Sequence, residues 1–366
     1  MRRLLPLLPL LLFAASCSKD ADNPVVPPVN DARGTAVGPD HVFSHASPLV
    51  WSQATNEVIG FSSSTPAAGT GLLALSVGDG VVRVLDPATP QALALSPDGA
   101  AVYYAVDLPP ASGDTVVLLR RPLAGGAPEL LGSAPDGTPI SFVLSLDGDW
   151  LAWGRAGSDP PEPGTLTLRH LTTGDTIEVG AGSPVAMASD GSQIVYRPDP
   201  TSPALRKWTR ATRQDADFDP AFPIGSGPPT WRWSGSDPST LNDRGSPAHM
   251  VALRQFLPSG DTDFPSFSSA DEIVVGPPFW SPDGSRGAAW TRRPSASGNY
   301  STYMLNVFDL PVGVGVVVAS GIDEPGGATF SSDASRIAQL FGERLFVSNA
   351  ATTPGVAVAA RGSRAP

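Results

Sequence analysis

The chain has 366 residues, a net charge of −11 and a single cysteine. That acidity speaks against nucleic acid as a partner, because such sites need clustered positive charge, and one thiol cannot form an internal disulfide. Proline (40) and glycine (38) make up about a fifth of the residues, a level that goes with disorder unless strands separate them.

Met1-Arg2-Arg3 is a short basic head, and Leu4 to Phe13 is an apolar run of ten residues. Ten residues are too few to cross a hydrocarbon core of ~30 Å as a helix, but they suit the apolar stretch of a secretory signal. The run ends in Ala14-Ala15-Ser16-Cys17, which resembles the lipobox of bacterial lipoproteins. The resemblance implies a signal peptide over 1–16, and a Cys17 that takes a diacylglycerol thioether and becomes the mature N-terminus. Several acyl chains, palmitate-like in kind, would then anchor the chain stably, where one is marginal. Loss of Arg2 and Arg3 takes the net charge from −11 to −13. Ser18, and not Asp, follows Cys17; the enterobacterial sorting pattern then leans towards the outer membrane.

Residues 17–40 are rich in Pro, Asn, Asp and Gly without periodicity, and read as an extended tether. His41 to Ala46 is a candidate first strand that could lie against the last repeat unit. That unit already shows four strands of its own, which argues against such a closure.

The domain over 41–366 is expected to be all-β, because one sentence recurs along it. Leu93 to Tyr104 reads as two short strands around Ser96-Pro97-Asp98-Gly99. Proline presets the turn, Asp bonds the backbone two residues on, and Gly takes the positive φ. Further copies stand at Ser145 with Asp147-Gly148, Asp190-Gly191, Ser281-Pro282-Asp283-Gly284, and Ser331 with Asp333, where Ala334 replaces the glycine. Trp51-Ser52 keeps the strand but has lost Asp-Gly. Aligned on Ser52, Ser96, Ser145, Ala188, Ser281 and Ser331, the steps are 44, 49, 43, 93 and 50 residues. The double step hides a degenerate copy, and Trp231-Arg232-Trp233-Ser234 sits where it should fall. This period points to four-stranded blades of a β-propeller.

Third strands follow each turn, at Leu72–Val77, Thr115–Arg121, Thr165–Leu171, Ala204–Thr209, Met250–Phe256, Thr302–Leu310 and Arg344–Ser348, with Gly355–Ala360 outermost in the last unit. Seven third strands against six clear turns favour seven blades over six. Longer insertions fall at Gly157–Gly164, Asp215–Asp243 and Ser295–Tyr300, where function tends to sit.

The turn copies resemble the WD40-like repeats of the TolB family of periplasmic propellers, most closely at Ser96-Pro97-Asp98-Gly99 and Ser281-Pro282-Asp283-Gly284. The resemblance covers most of Ser47 to Ala360. It implies a propeller and a preference for protein partners. It does not carry TolB's own role, since the segment from Cys17 to Ser47 is too short for TolB's N-terminal α/β domain. Prolyl-peptidase propellers share the repeat, but no G-x-S-x-G elbow is present here.

Candidate chemistry is sparse. Asp98, Asp147, Asp190, Asp283 and Asp333 could form an acidic ring, yet their place in turns favours a structural role. His41, His45, His170 and His249 are scattered, and without cysteine they make a poor zinc set. Asp215-Ala216-Asp217-Phe218-Asp219 opens like a calcium loop, but Pro220 stands where Gly is needed and Ser226 where Glu is, so a solvated acidic loop is the default. Arg206-Lys207-Trp208-Thr209-Arg210 is the one basic-aromatic cluster. It could meet an anionic glycan or acidic partner, or could cover apolar surface with Trp208 beneath. Trp51, Trp280 and Trp233 occupy a position that repeats as Leu95 and Leu144, which marks packing between blades.

The expectation is therefore a monomeric lipoprotein of the cell envelope. Its propeller would serve as a non-catalytic platform for a protein or peptide, with no cofactor, no metal and no nucleic acid. The rival is a hydrolase or lyase acting at the propeller centre on an envelope peptide or glycan.

Overall fold

A computed structural model describes residues 33–62, 70–108, 115–135, 139–155, 164–199, 204–218, 230–234, 237–243, 249–257, 260–269, 272–294, 301–310, 316–342 and 344–350. Cys17, most of the tether and Gly355–Ala360 lie outside them, as do 156–163 and 295–300.

Among the described residues the strands form seven antiparallel sheets. The first takes Val50–Ser52, Glu57–Ser62, Gly71–Ser76 and Val82–Asp86 in that order, and the second Pro90–Leu95, Ala101–Asp107, Val116–Pro122 and Glu129–Ala134. The third takes Ile140–Leu144, Trp150–Arg155, Thr165–His170 and Thr176–Ala181; the fourth takes Ser183–Met187, Gln193–Arg197, Leu205–Thr209 and Gln214–Phe218. The fifth is Thr230–Ser234, Asp237–Asp243, His249–Leu257 and Gly260–Ser269. In the sixth, Arg286–Pro294, Ser301–Asp309 and Val316–Gly321 follow an inner strand split into Ile273–Val274 and Phe279–Trp280. The seventh runs Pro325–Phe330, Arg336–Phe341 and Arg344–Asn349, and its outermost strand is Thr35–Ala36 from the other end of the chain.

The inner strands of sheets one to six touch in succession, and that of sheet seven touches that of sheet one. The result is a ring, and the fold is a β-propeller. Each sheet is too thin to be stable alone and hides its faces against its neighbours. Along Ala101–Val106 every residue is buried. Alternation sends Val102, Tyr104 and Val106 into the wedge shared with sheet one, and Ala101, Tyr103 and Ala105 into the wedge shared with sheet three. Further wedges join sheets three and four through Leu168, Ile194 and Trp208, and sheets six and seven through Trp290, Leu305, Phe330 and Phe341.

Closure differs from the expectation. His41–Ala46 is not a strand; Val42 and Phe43 are buried as a plug with Val58, Leu73, Leu340 and Leu345 in the wedge between sheets seven and one. The closing strand is Thr35–Ala36, so the sheet domain reaches into the segment read as tether. It pairs with Val347 and Phe346, and Gln339 Nε2 donates to the Arg33 carbonyl at 2.8 Å. The segment read as an insertion, 215–243, instead contains the outer strand of sheet four and the first two strands of sheet five. Alternating Asp in Gln214–Phe218 is the solvated pattern of an edge strand, which looks like a loop when only acidity is read.

Gly34 enters this closure at φ +86°, where an added Cβ would stand 2.4 Å from the Val347 carbonyl oxygen. Gly125 has φ +112° with nothing within 4 Å of the same position. Gly34→Ala should cost more than the ~1–2 kcal/mol of the left-handed conformation alone, because backbone cannot move aside. Gly125→Ala should cost only that conformational part. Urea denaturation of the two variants checks the difference; equal losses would remove the crowding argument.

Candidate functional site

The five acidic turns lie at the same end of their sheets, and each is a closed hydrogen-bond unit. Ser96, Ser145, Ser281 and Ser331 donate from Oγ to Oδ1 of the aspartate two residues on, at 2.5, 2.5, 2.6 and 2.6 Å. The same Oγ accepts the backbone N–H five residues on, at 2.8, 2.9, 2.9 and 3.0 Å. The aspartate Oδ1 also accepts a backbone N–H, from Ala100, Asp149, Ser285 and Ser335. Ala188 lacks the hydroxyl, yet Asp190 still takes the Ser192 N–H at 2.9 Å. Gly99, Gly148, Gly191 and Gly284 turn at positive φ, and Ala334 does so at +55°. Pro97 and Pro282 stand exposed at the turn tips.

Neighbouring turns are tied together. Ser52 Oγ donates to the Gly99 carbonyl at 2.6 Å, and the Asp147 N–H to the Ser189 carbonyl at 3.0 Å. Arg286 donates to the carbonyls of Ala334 and Ala350 at 2.9 and 3.0 Å. At the ring seam Arg336 reaches Asn56 and lies 4.7 Å over the Trp51 ring, while Ser332 Oγ donates to Gln53. Among the described residues four neighbouring pairs of turns are thus knitted into a rim, from which five exposed carboxylates project.

Three of those carboxylates are held towards the ionised form. The serine hydroxyl first, then the backbone N–H, hold Asp98 and Asp333 below the ordinary range, Asp333 at about 2; for Asp190 the Ser192 side chain and N–H do the same.

The basic-aromatic cluster is largely engaged within the domain. Arg206 Nε lies 2.9 Å from Asp215 on the next strand, Trp208 is buried between sheets three and four, and Arg210 stacks 4.1 Å over Trp150. Lys207 is half-buried. Asp215 also accepts the Tyr196 hydroxyl at 2.9 Å, and burial, then that bond, pushes the phenol up to about 12. Asp215 and Asp217 therefore stand on an outer strand; Asp219, Pro220 and Ser226 lie outside the described residues. His170 packs edge-on to Trp150 at 4.6 Å and His45 bonds the Gly342 carbonyl. Among the described residues no three His, Cys, Asp or Glu stand together as a metal site. Trp51 is buried, and Trp280 packs against the wedge between sheets five and six.

A cavity of about 480 Å³ opens between sheets six and seven. Its walls come from Val275–Phe279, Trp290, Arg292, Tyr303 and Glu324–Ala328. Local sequence explains it. Gly276, at φ +77°, and Pro277-Pro278 interrupt the inner strand of sheet six, since proline donates nothing to a ladder. Pro325-Gly326-Gly327 bulges the facing strand of sheet seven. Arg292 stands six residues along its strand from Arg286 at the rim, or roughly 20 Å of extended chain, so the cavity lies towards the other end of the sheets. Neither Arg292 nor the cavity is visible in the repeat pattern; the double Pro/Gly interruptions are the one sequence signal that could have found it.

No family model and no curated protein matches the chain. Among solved structures it is similar to oligogalacturonate lyase from Vibrio parahaemolyticus, at 9% identity and a TM-score of 0.59, over 87% of this chain and 91% of that one. The Cps50 (Swd1) β-propeller domain of Myceliophteria thermophila aligns at 13% identity and 0.53, over 86% and 99%. TolB from Acinetobacter baumannii aligns at 14% and 0.45, over 83% and 79%. At such identities the likeness concerns the fold alone, which is that of a β-propeller.

A carboxyl with a lower pKa folded than unfolded gives stability that is complete above the unfolded value and is lost as pH falls through the folded one. For Asp333 that window runs from about 3.8 down to about 2. Ser331→Ala removes the main cause, so its stability deficit against the wild type should shrink as pH drops across that window. Urea denaturation at a series of pH values checks this; a deficit constant with pH would show that the hydroxyl does not hold the carboxylate.

Proposed function

We propose that this chain is a monomeric lipoprotein of a bacterial envelope, held by acyl chains on Cys17, whose propeller is a non-catalytic platform for a protein or peptide. The observation that supports the platform is the knitted rim. A face whose turns are hydrogen-bonded internally and to one another has little freedom left to lose on docking, which favours association. The rim also offers an apolar foothold: Leu146, in the place Pro97 takes in its own turn, is 45% exposed. The anchor rests on Ala14-Ala15-Ser16-Cys17, and the lean to the outer membrane on Ser18.

Labelled palmitate should follow the wild type and not Cys17→Ala; label on both, or on neither, would defeat the anchor. A photo-crosslinking residue in place of Leu146 should give a discrete adduct in intact envelopes, identified by mass spectrometry. An adduct at control positions on the outer strands but none at 146 or 97 would take the rim out of the reading. The rival class has the likeness to oligogalacturonate lyases behind it at the level of fold; release of unsaturated sugar from polygalacturonate by the purified protein would favour it.

A further inference from the structure

Adjacent arginines on one strand of sheet six meet different fates. Arg293 pairs with Glu272 at 2.6 Å, and Thr291 donates to the same carboxylate at 2.7 Å. Alternation turns Trp290 and Arg292 to the opposite side, where both line the cavity between sheets six and seven. Arg292 is half-buried, and its Nε–H has no acceptor among the described residues; nor has the indole N–H of Trp290, which is 6% exposed. Both groups can only donate. Around them the walls are apolar or aromatic, with Phe279 and Tyr303 half-buried and prolines at the broken strand. The remaining charge is Glu324, exposed at the edge.

We infer that this cavity binds a single carboxylate carried on an apolar or aromatic body, Arg292 taking the carboxylate and Phe279 and Tyr303 flanking the body. A guanidinium fork matches a carboxylate in two parallel hydrogen bonds, and the Trp290 N–H adds a third donor. The volume falls in the range of small-ligand pockets. Glu324 at the edge repels polyanions, which leaves a monocarboxylate as the fitting charge. Two sources share this chemistry: a free small acid, or the last residue of a peptide with an apolar C-terminus. The inference goes beyond the platform and does not rest on it, since the cavity lies away from the rim and needs no anchor.

Calorimetric titration of the purified chain with N-acetyl-L-phenylalanine and its amide, and with a pentapeptide ending in phenylalanine as acid and as amide, tests it. At least one acid should bind, with its amide about tenfold weaker or more, the usual scale for losing a charged hydrogen bond. Binding of the small acid alone indicates a free metabolite, and binding of the peptide acid alone indicates a chain terminus. Arg292→Gln should erase the difference between acid and amide, and Arg292→Lys should keep part of it. Ala328→Phe, which adds bulk from the facing strand, should abolish binding with Arg292 in place, and keeps the test open should Arg292→Gln fail to fold. Acid and amide bound alike, no heat with any probe on the folded protein, or discrimination that survives Arg292→Gln would each overturn it.

Discussion

Every sheet in this protein has two faces to hide, and that requirement fixes the ring. A strand such as Ala101–Asp107, buried along six consecutive residues, would put Tyr103 or Tyr104 into water if either neighbouring sheet were missing. At ~1.5–3 kcal/mol for each large side chain, a seam left open would expose enough apolar surface to outweigh much of a typical domain's net stability. The seam between sheets seven and one is therefore the critical joint. It unites residues about 300 positions apart, and the wedge of Val42, Phe43, Leu73, Leu75 and Leu340 covers both faces at once. The ion pair of Arg33 with Asp323, at 2.6 Å, spans 290 residues and fastens the N-terminal strand beside it.

The rim follows from the same need at a smaller scale. Strands that must stay in register to fill two wedges cannot tolerate a slipping turn, because a shift by one residue exchanges the faces. The Ser–Asp unit prevents slippage with one hydroxyl and one carboxylate, and these chemical demands are what made the repeat readable. Serine must both donate and accept, aspartate must reach the backbone, and the next residue must take positive φ. Where one demand relaxes the motif fades while the turn survives, as at Ala188 and Ala334. The degenerate copy at Trp231–Ser234 still forms the inner strand of its sheet, because the alternation that pairs it with Asp237–Leu241 does not depend on the turn residues.

What sequence pattern missed was what it had no period for. Thr35–Ala36 is two residues long and carries no alternation; it becomes a strand only because Arg344–Asn349 presents an edge to it. Glu129–Ala134 and Gln214–Phe218 are outer strands with wet faces, so burial leaves a weak imprint on them. The basic cluster read well as a cluster but could not show its partners, since Asp215 lies across a strand pair and Trp150 in another sheet. A candidate site made of long-range neighbours is invisible to any local rule.

Arg292 and Arg293 make the point in its sharpest form. They share a residue neighbourhood, a strand and a charge, and nothing in composition separates them. Period two does: one side of Arg286–Pro294 meets Glu272, where Thr291 and Asn306 complete a buried polar chain with bonds of 2.7 and 2.8 Å. The other side meets the gap left where Gly276-Pro277-Pro278 and Pro325-Gly326-Gly327 break two facing ladders. Glycine and proline thus act in opposite senses within one ring. At the rim they end strands cleanly and lock the turns, whereas between sheets six and seven they interrupt strands midway and open the wedge. A cationic donor beside an apolar gap is costly to bury without a partner, which sets Arg292 apart from Arg293 with its Glu272 at 2.6 Å.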